Sequence, residues 1–389
     1  MFTPVLVGLQ ILIVSLVAYT ALTALFGWPN PAVPSRGTRA RRFRVVVPAH
    51  EEGHVLAGLL TGLKTQDYPP TLITIWVVAD RCSDDTAAVA AAAGAAVDER
   101  SDGPAGKGPA LRWHLERHPL DPGDALVILD ADNRVSPDLI GLFADELDTD
   151  GEALQAYLDV LNPDASLLAT AGAVSYWASN RMVQQARRRL GWPADLGGTG
   201  MCLTTEALAR AGGFGDSLTE DTDLGIRLAL AGVVVRWMHY VRVLDEKPTS
   251  LRATVGQRAR WTAGKRATAR RHLPALVGRA LVRRSLALLD VAIRLVQPGR
   301  TMIALVSAVG WLVAWMAAPS WLLPAPVWAT ATMIQLALPI PFLARDGVRA
   351  RYLVRYPLLV LLALLWLPIR IASRLTGGWY HTRHRENSD

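Results

Sequence analysis

The sequence predicts an α/β domain with a mostly parallel sheet, held to a membrane by an N-terminal transmembrane helix and by C-terminal interface and transmembrane helices. Three observations predict it. From Arg44 onward, short apolar runs alternate with helical stretches, the pattern of helices laid over a parallel sheet. Three of those runs stop at Pro48, Asp80 and Asp130. Both ends of the chain carry long uncharged apolar stretches, and hydrophobic residues make up 51% of the 389 against 19% charged.

Residues 4–26 are uncharged and long enough to cross a bilayer, since roughly 20 apolar residues span about 30 Å. A cleaved signal peptide would carry basic residues ahead of its apolar run, whereas Arg36, Arg39, Arg41 and Arg42 follow this one. Such arginines stay on the cytoplasmic side, so the domain after them is expected in the cytoplasm. Residues 30–38, rich in proline and small residues, form a linker.

Within the α/β region, residues 44–47, 72–79, 125–129 and 153–161 read as strands, and the Ala-rich 86–96 as a helix. A helix is expected over roughly 164–190, its basic last turn at Arg187 to Arg189 being a solvated end. Thr219 is placed to cap a helix over 219–231, whose first turn holds Glu220 and Asp221 where carboxylates suit the positive dipole end. A strand at 233–238 and a basic helix at 252–272 follow.

Residues 276–297 carry an apolar face interrupted by Arg279, Arg283, Arg284 and Arg294, and are expected to lie in the membrane interface. Stretches 301–318 and 321–344 make a transmembrane hairpin joined at a Pro-Ser turn. The last apolar stretch, between Arg355 and Arg370, is short and basic on both sides, which favours a re-entrant or interfacial segment. The expected divisions are a transmembrane helix 1–28, a basic linker 29–43, a catalytic domain 44–272, an interface helix 273–298, a hairpin 299–346, and an interfacial or membrane helix with a cytoplasmic tail 347–389.

A net charge of +7 could suggest nucleic acid, but the arginines cluster beside the apolar segments, which favours a membrane surface and argues against a nucleic-acid partner. Cys82 and Cys202 have no paired spacing, so neither a disulfide framework nor a zinc motif is expected.

Ligands of open α/β sheets bind beyond the carboxyl ends of the strands, so residues 48–52, Asp80 and Asp130 should meet in one crevice. Asp130-Ala131-Asp132 puts two carboxylates at alternate positions just past a buried strand. One can reach a sugar or ribose while the other holds Mg2+ or Mn2+, ions that take oxygen ligands and complete their shell with substrate phosphates. Lys107, between Gly106 and Gly108 ahead of a helix, either meets a diphosphate at the helix N-terminus or is solvated. The Gly197-Gly198-Thr199-Gly200 run either lets backbone approach a ligand or simply turns the chain. On the basic helix, Gln257, Arg260 and Trp261 share one side, where they can bond diphosphate oxygens and stack a sugar ring, or anchor the helix at the interface.

Asp130-Ala131-Asp132, Thr219-Glu220-Asp221 and Gln257-Arg258-Ala259-Arg260-Trp261, in that order, resemble the motif set of the family 2 inverting glycosyltransferases, in the branch with cellulose, hyaluronan and chitin-oligosaccharide synthases. The resemblance implies a GT-A type nucleotide-sugar domain. It implies that Pro48, Glu52 and Asp80 lie near the nucleotide base, Asp130 near the nucleotide sugar, Asp132 on the metal, and Lys107, Gln257 and Arg260 on the donor. Asp221 would be the general base, with Glu220 and Trp261 near the acceptor. Two motifs depart from the family pattern: Pro48-Ala49-His50-Glu51-Glu52 lacks its Asn, and Arg81-Cys82 follow Asp80 where Gly-Ser is usual. The tail, Gly378-Trp379-Tyr380-His381-Thr382-Arg383, looks like the Trp-x-Lys-Thr-x-Arg ending of hyaluronan and chitin-oligosaccharide synthases, with His381 in place of the lysine and the final Arg displaced or absent.

The function expected is metal-dependent transfer of a sugar, glucose or N-acetylglucosamine, from a UDP-sugar to a growing poly- or oligosaccharide. The setting expected is an integral protein of a bacterial inner membrane. Three spans make a thin channel unless protomers associate into a homo-oligomer, so single glycosylation of a membrane lipid is the close alternative. A non-catalytic membrane scaffold retaining the fold is the other, and the intact carboxylates argue against it.

Overall fold

Residues 3–363 are described by the computed structural model, and their strands join in one eight-stranded sheet. Helix α1 (Thr3–Leu25) is apolar around its circumference and leaves Val5, Leu9, Leu12 and Leu22 exposed, as a helix facing lipid does. The first half of the domain alternates strand and helix: β1 (Phe43–Ala49), α2 (Gly53–Lys64), β2 (Ile73–Asp80), α3 (Thr86–Ala92), β3 (Ala96–Arg100), α4 (Lys107–Arg117) and β4 (Ala125–Ile128). The second half adds β5 (Arg134–Val135), α5 (Leu139–Leu147), β6 (Ala153–Val160), α6 (Leu167–Ser179), α7 (Ala186–Leu190), β7 (Met201–Thr204), α8 (Thr205–Arg210), α9 (Glu220–Leu230) and β8 (Val235–Asp245).

Sheet order is β3-β2-β1-β4-β7-β6-β8-β5. Strands β1 to β4 run parallel, as do β6 and β8, while β7 is reversed against β4 and β6, and the short β5 against β8. The central strands are covered on both faces, which is why β1 and β4 read as unbroken apolar runs. Val45, Val47 and Val127 pack with Leu56, Leu59 and Phe143 on one face. Val46, Leu126 and Ile128 pack with Leu111, Leu224 and Trp237 on the other.

Several expected elements change. The helix expected at 86–96 ends at Ala92; Gly94, with φ at +73°, turns the chain into β3, a strand concealed in an alanine-rich stretch. The 164–190 helix is broken by a π-helical stretch, Asn180–Gln185, between α6 and α7. Its basic end is solvated only at Arg189, which is exposed: Arg187 is buried and pairs with Asp290 at 2.8 Å, and Arg188 pairs with the buried Glu146 at 2.6 Å. Thr219 precedes α9 but makes no side-chain cap; its hydroxyl faces Thr268 at 3.4 Å instead.

Helix α10 (Leu251–Val282) continues through Pro274, so the expected boundary at 273 falls inside one helix. Pro274 removes one backbone donor. Packing beyond it compensates, because Leu276 and Ala280 bury themselves with Ile226 and Ala229 of α9. The break comes where Arg284 takes φ +49° and Ser285 caps α11 (Leu286–Val296) by accepting from Leu288 N at 3.3 Å. Asp290 of α11 receives Tyr19 of α1 as well as Arg187 and Arg294, so this short helix ties the first apolar helix to the sheet domain.

The hairpin forms from α12 (Arg300–Ala317), α13 (Ala325–Ala337) and α14 (Pro339–Arg345), the last two meeting at Pro339; α15 (Ala350–Ala363) follows. Three stretches, Pro4–Leu25, Arg300–Ala317 and Ala325–Arg345, are long and apolar enough to cross a membrane. The Trp379 to Arg383 motif lies outside the described residues.

Candidate active site

A cavity of about 220 Å³ opens beyond the carboxyl ends of β1, β2 and β4. Pro48 of β1, which runs on to Ala49 and does not stop at the proline, Glu52 after it, Asp80 of β2 and Asp130 after β4 line it on the sheet side. Lys107 of α4, Glu220 of α9 and Arg260 of α10 line it opposite. Seven of the residues expected to bind donor or acceptor therefore share one cavity, although Gln257, Trp261, Asp132 and Asp221 are not in its lining.

Each lining group is held by something the motifs do not contain. Asp80 Oδ1 receives the guanidiniums of Arg100 at 2.7 Å and Arg81 at 2.8 Å, and Arg100 is only 3% exposed, so that carboxylate is pinned. His50 Nδ1 lies 2.6 Å from the Asp80 carbonyl, a positioning bond consistent with a structural histidine. The Asp130 amide donates to both Asn133 Oδ1 and Thr199 Oγ1 at 3.0 Å, and the Thr199 hydroxyl donates to Asn133.

Lys107 is not a solvated lysine. Its ammonium pairs with Asp130 and donates to the Gly198 carbonyl at 2.9 Å. The glycine run therefore approaches the site closely. Gly198 takes φ +84°, where a side chain would be strained, and a Cβ there would stand 3.6 Å from Asp221 Oδ2. Buried Gln155 fastens the same loop, donating to Thr199 O at 2.9 Å and accepting from Gly197 N at 2.8 Å.

Helix α10 reaches the site because α9 seats it. Asp223 accepts from His272 Nε2 and from Arg227 Nε, both at 2.7 Å. A Cβ on Gly264 would lie 2.5 Å from Thr219 Cγ2, so the two helices meet where one of them has no side chain. Arg260 is one turn ahead of Gly264 on the same face, which places its guanidinium at the cavity. Its Nε is buried without a hydrogen-bond partner among the described residues. Trp261, next along, lies half-buried with the Arg258 guanidinium 5.8 Å from its ring centroid.

Asp132 is 8% exposed, accepts from Asn133 Nδ2 at 3.1 Å, and faces the Glu246 amide at 3.4 Å. Beside Glu246, Asp245 pairs with Lys247 at 2.6 Å through one oxygen and leaves Oδ1 buried without a partner among the described residues. Burial raises the Asp245 pKa, Lys247 opposes the shift and the Asp130 charge adds to it. Asp130 lines the cavity, and Asp132 and Asp245 lie outside its lining; carboxylate oxygens of this kind are the donors that Mg2+ and Mn2+ take. Asp245 was missed from sequence because it ends a strand with no motif around it; Asn133, by contrast, directly follows the Asp-x-Asp pair.

Glu220 and Asp221 are neighbours in a buried first turn. Burial, then the charge of Asp221, pushes the Glu220 carboxyl up to about 7. Burial also raises Asp221, while the Thr222 amide, Lys107 and Arg260 oppose it. Burial thus pushes both carboxyls of the pair upward, while the Lys107 ammonium favours the ionised form of each. For Lys107, burial works against the charge, but Asp130 and then Glu220 outweigh it and the ammonium is held up.

A half-parallel sheet whose strand ends present carboxylates to a cavity closed by a lysine and an arginine defines a GT-A type glycosyltransferase domain, here joined to apolar helices. Residues 40–264 match the family model described as "Glycosyltransferase like family 2", and the chain belongs to that family. Among curated proteins, it is 29% identical over 231 residues to a beta-monoglucosyldiacylglycerol synthase of Trichormus variabilis, covering 57% of this chain and 48% of that one. It is 26% identical over 235 residues to a probable glycosyltransferase of Bacillus subtilis, covering 57% of this chain and 54% of the relative. The chain spans about half the length of the curated relatives it matches. A mannosyltransferase from Pyrobaculum calidifontis, solved with GDP-Man and Mn2+, superposes with a TM-score of 0.57 at 19% identity, over 92% of this chain and 99% of that one, which establishes the shared fold.

Proposed function

We propose that this protein is an inverting hexosyltransferase that moves glucose from UDP-glucose onto a hydroxyl of a membrane lipid. The observation that carries the lipid acceptor is a second cleft of about 220 Å³ beside the first turn of α9, bounded by Thr222, by the apolar Leu196, Ile226, Val291 and Leu295, and by the charged Asp195, Lys265 and Arg294. Thr222 directly follows the base Asp221, and Val291 and Leu295 belong to α11, the amphipathic helix joined to α1. An acyl or prenyl chain rising from the bilayer along α11 would bring its headgroup hydroxyl to Asp221. The relative named beta-monoglucosyldiacylglycerol synthase supports this acceptor class and this sugar.

Asp80, with Pro48 and Glu52, receives the nucleoside, and Asp130 the sugar-bearing end of the nucleotide. Lys107 and Arg260 take the diphosphate; the unpartnered Arg260 Nε fits an incoming phosphate oxygen. Asp221 accepts the proton of the acceptor hydroxyl as that oxygen attacks the anomeric carbon from the face opposite the departing diphosphate, which inverts the centre without a covalent enzyme intermediate. Glu220 hydrogen-bonds the acceptor, and Gln257 and Trp261 flank the donor and acceptor sugars. Mg2+ or Mn2+, held by Asp132 with Asp130 and Asp245, would neutralise charge on the diphosphate.

Extension of a poly- or oligosaccharide is the second reading, favoured by Gln257, Arg260 and Trp261 standing at the spacing of chain-forming transferases. Membranes carrying the protein are incubated with radiolabelled UDP-glucose and diacylglycerol. Label in chloroform-soluble lipid supports the first reading, label in high-mass aqueous polymer the second, and label in neither with any nucleotide sugar removes both.

A further inference from the structure

Away from the cavity, at the outer edge of the sheet, α4 ends against β3. His114 lies in the last turn of α4 and His118 is its C-cap, one helical turn apart and so on one face. Asp98 of β3 faces both: its carboxylate is 2.6 Å from His114 Nδ1 and 3.2 Å from His118 Nε2. One ligand atom from each of the three falls within 4.8 Å of the other two.

From this convergence we infer a second metal site, built by Asp98, His114 and His118, that takes a zinc-class transition ion and is separate from the Mg2+ or Mn2+ position at Asp132. The chemistry of the donors separates the two sites. Imidazole nitrogen suits Zn2+, Co2+ and Ni2+, whereas the carboxylates around Asp132 suit hard ions. Bonds of about 2.0–2.1 Å to a tetrahedral zinc put neighbouring ligand atoms roughly 3.3 Å apart. The His118 to Asp98 spacing of 3.2 Å already meets this, the 2.6 Å spacing to His114 needs to open by a fraction of an ångström, and the two imidazoles, whose ring centroids stand 5.2 Å apart, must turn toward each other around the ion.

The rings are also held in place. Trp76 of β2 packs on His118 with centroids 4.4 Å apart and on His114 at 5.1 Å, so both imidazoles rest on one indole. His114 is fully buried, while His118 is 34% exposed in its side chain, which leaves an entry path and a fourth position for water. Arg44, which donates to the His118 and Pro119 carbonyls, supplies the same helix end with positive charge. Attraction by charge alone is therefore weak here, and a metal must be bound through its nitrogen ligands.

An ion here would staple α4 to β3. Helix α4 begins with Lys107 in the cavity, and β3 carries Arg100, two residues beyond Asp98, onto Asp80. The staple would thus steady two positive groups of the donor site from behind.

The test uses the full chain purified in detergent, stripped with a chelator and titrated with Co2+ while the visible ligand-field absorption is followed, then back-titrated with Zn2+. One Co2+ per chain in a band displaced by Zn2+ is expected. Asp132→Ala should leave that band intact. His118→Ala, at a half-exposed position, should weaken binding by more than the roughly 10- to 100-fold that loss of an outer-shell partner costs. Asp98→Asn should do the same. A band lost in Asp132→Ala and kept in His118→Ala, or no band in the wild-type chain, would overturn the site and show Asp98 as a hydrogen-bonding lock only. Because the readout is binding and not transfer, it is independent of the proposed activity.

Discussion

Lys107 and Asp130 close on each other across the donor cavity, an ammonium from the first turn of α4 against a carboxylate just past β4. The same ammonium supports Asp221 and Glu220, since its charge favours their ionised forms. Lys107→Met should therefore weaken nucleotide-sugar binding and move the acid limb of the rate profile to higher pH. An unchanged limb, measured as kcat/KM between pH 5 and 9, would disconnect Lys107 from the pair.

Asp221→Asn should retain UDP binding and lower kcat by about 100- to 10,000-fold, the range for loss of a general base. Equilibrium binding of UDP together with transfer rates separates the two effects. Turnover within a few-fold of wild type would move the base elsewhere.

Asp132→Ala and Asp245→Asn should each reduce the gain in UDP affinity that Mn2+ brings. The buried, unpartnered Asp245 oxygen is the reason to include the second. Titration calorimetry with UDP, with and without Mn2+, reads this directly, and an Asp245 variant with the full Mn2+ response would remove it from the metal set.

Glu220→Gln addresses stability. A carboxyl whose pKa rises on folding, here from 4.5 to about 7, stabilises the folded chain most below the unfolded value, and that contribution is lost as the pH climbs through the folded one. At pH 8 the ionised Glu220 is a burden, so the Gln variant should be more stable than wild type by roughly 1–3 kcal/mol. The difference should vanish near pH 4. Thermal unfolding in detergent across that window checks the sign.

Asp290→Ala should destabilise by about 3–5 kcal/mol, because it strands Arg187 and Arg294 in a buried site. Asp290→Asn, which preserves shape, should cost less. Equal losses in the two variants would point to the charge alone, and an Asp290→Asn loss near zero to packing.

Much of the donor side was legible before any coordinates. The apolar runs of β1, β2 and β4 follow from local pattern, so Pro48, Asp80 and Asp130 at their carboxyl ends could be assigned to one crevice by the rule for parallel sheets, although β1 runs through Pro48 to Ala49. The long apolar stretches follow equally from composition. Hidden elements were those whose local signal pointed elsewhere. Strand β3 lies beyond an alanine run that reads as helix, and α10 passes a proline that reads as a stop.

Sequence by itself determined the strands with a clear apolar run, β1, β2, β4, β6 and the start of β8, and which stretches are apolar enough for a bilayer, because burial on one or both faces leaves its period in the chain; β3, β5 and β7 were not legible that way. Tertiary structure alone decided that Arg100 pins Asp80, that Thr199 and Asn133 fix Asp130, and that Gly264 lets α10 bring Arg260 to the cavity. Those pairings join residues far apart in the chain, and they depend on strand register and on helix rotation. Both are set by how side chains pack, a collective property that no short window of residues contains.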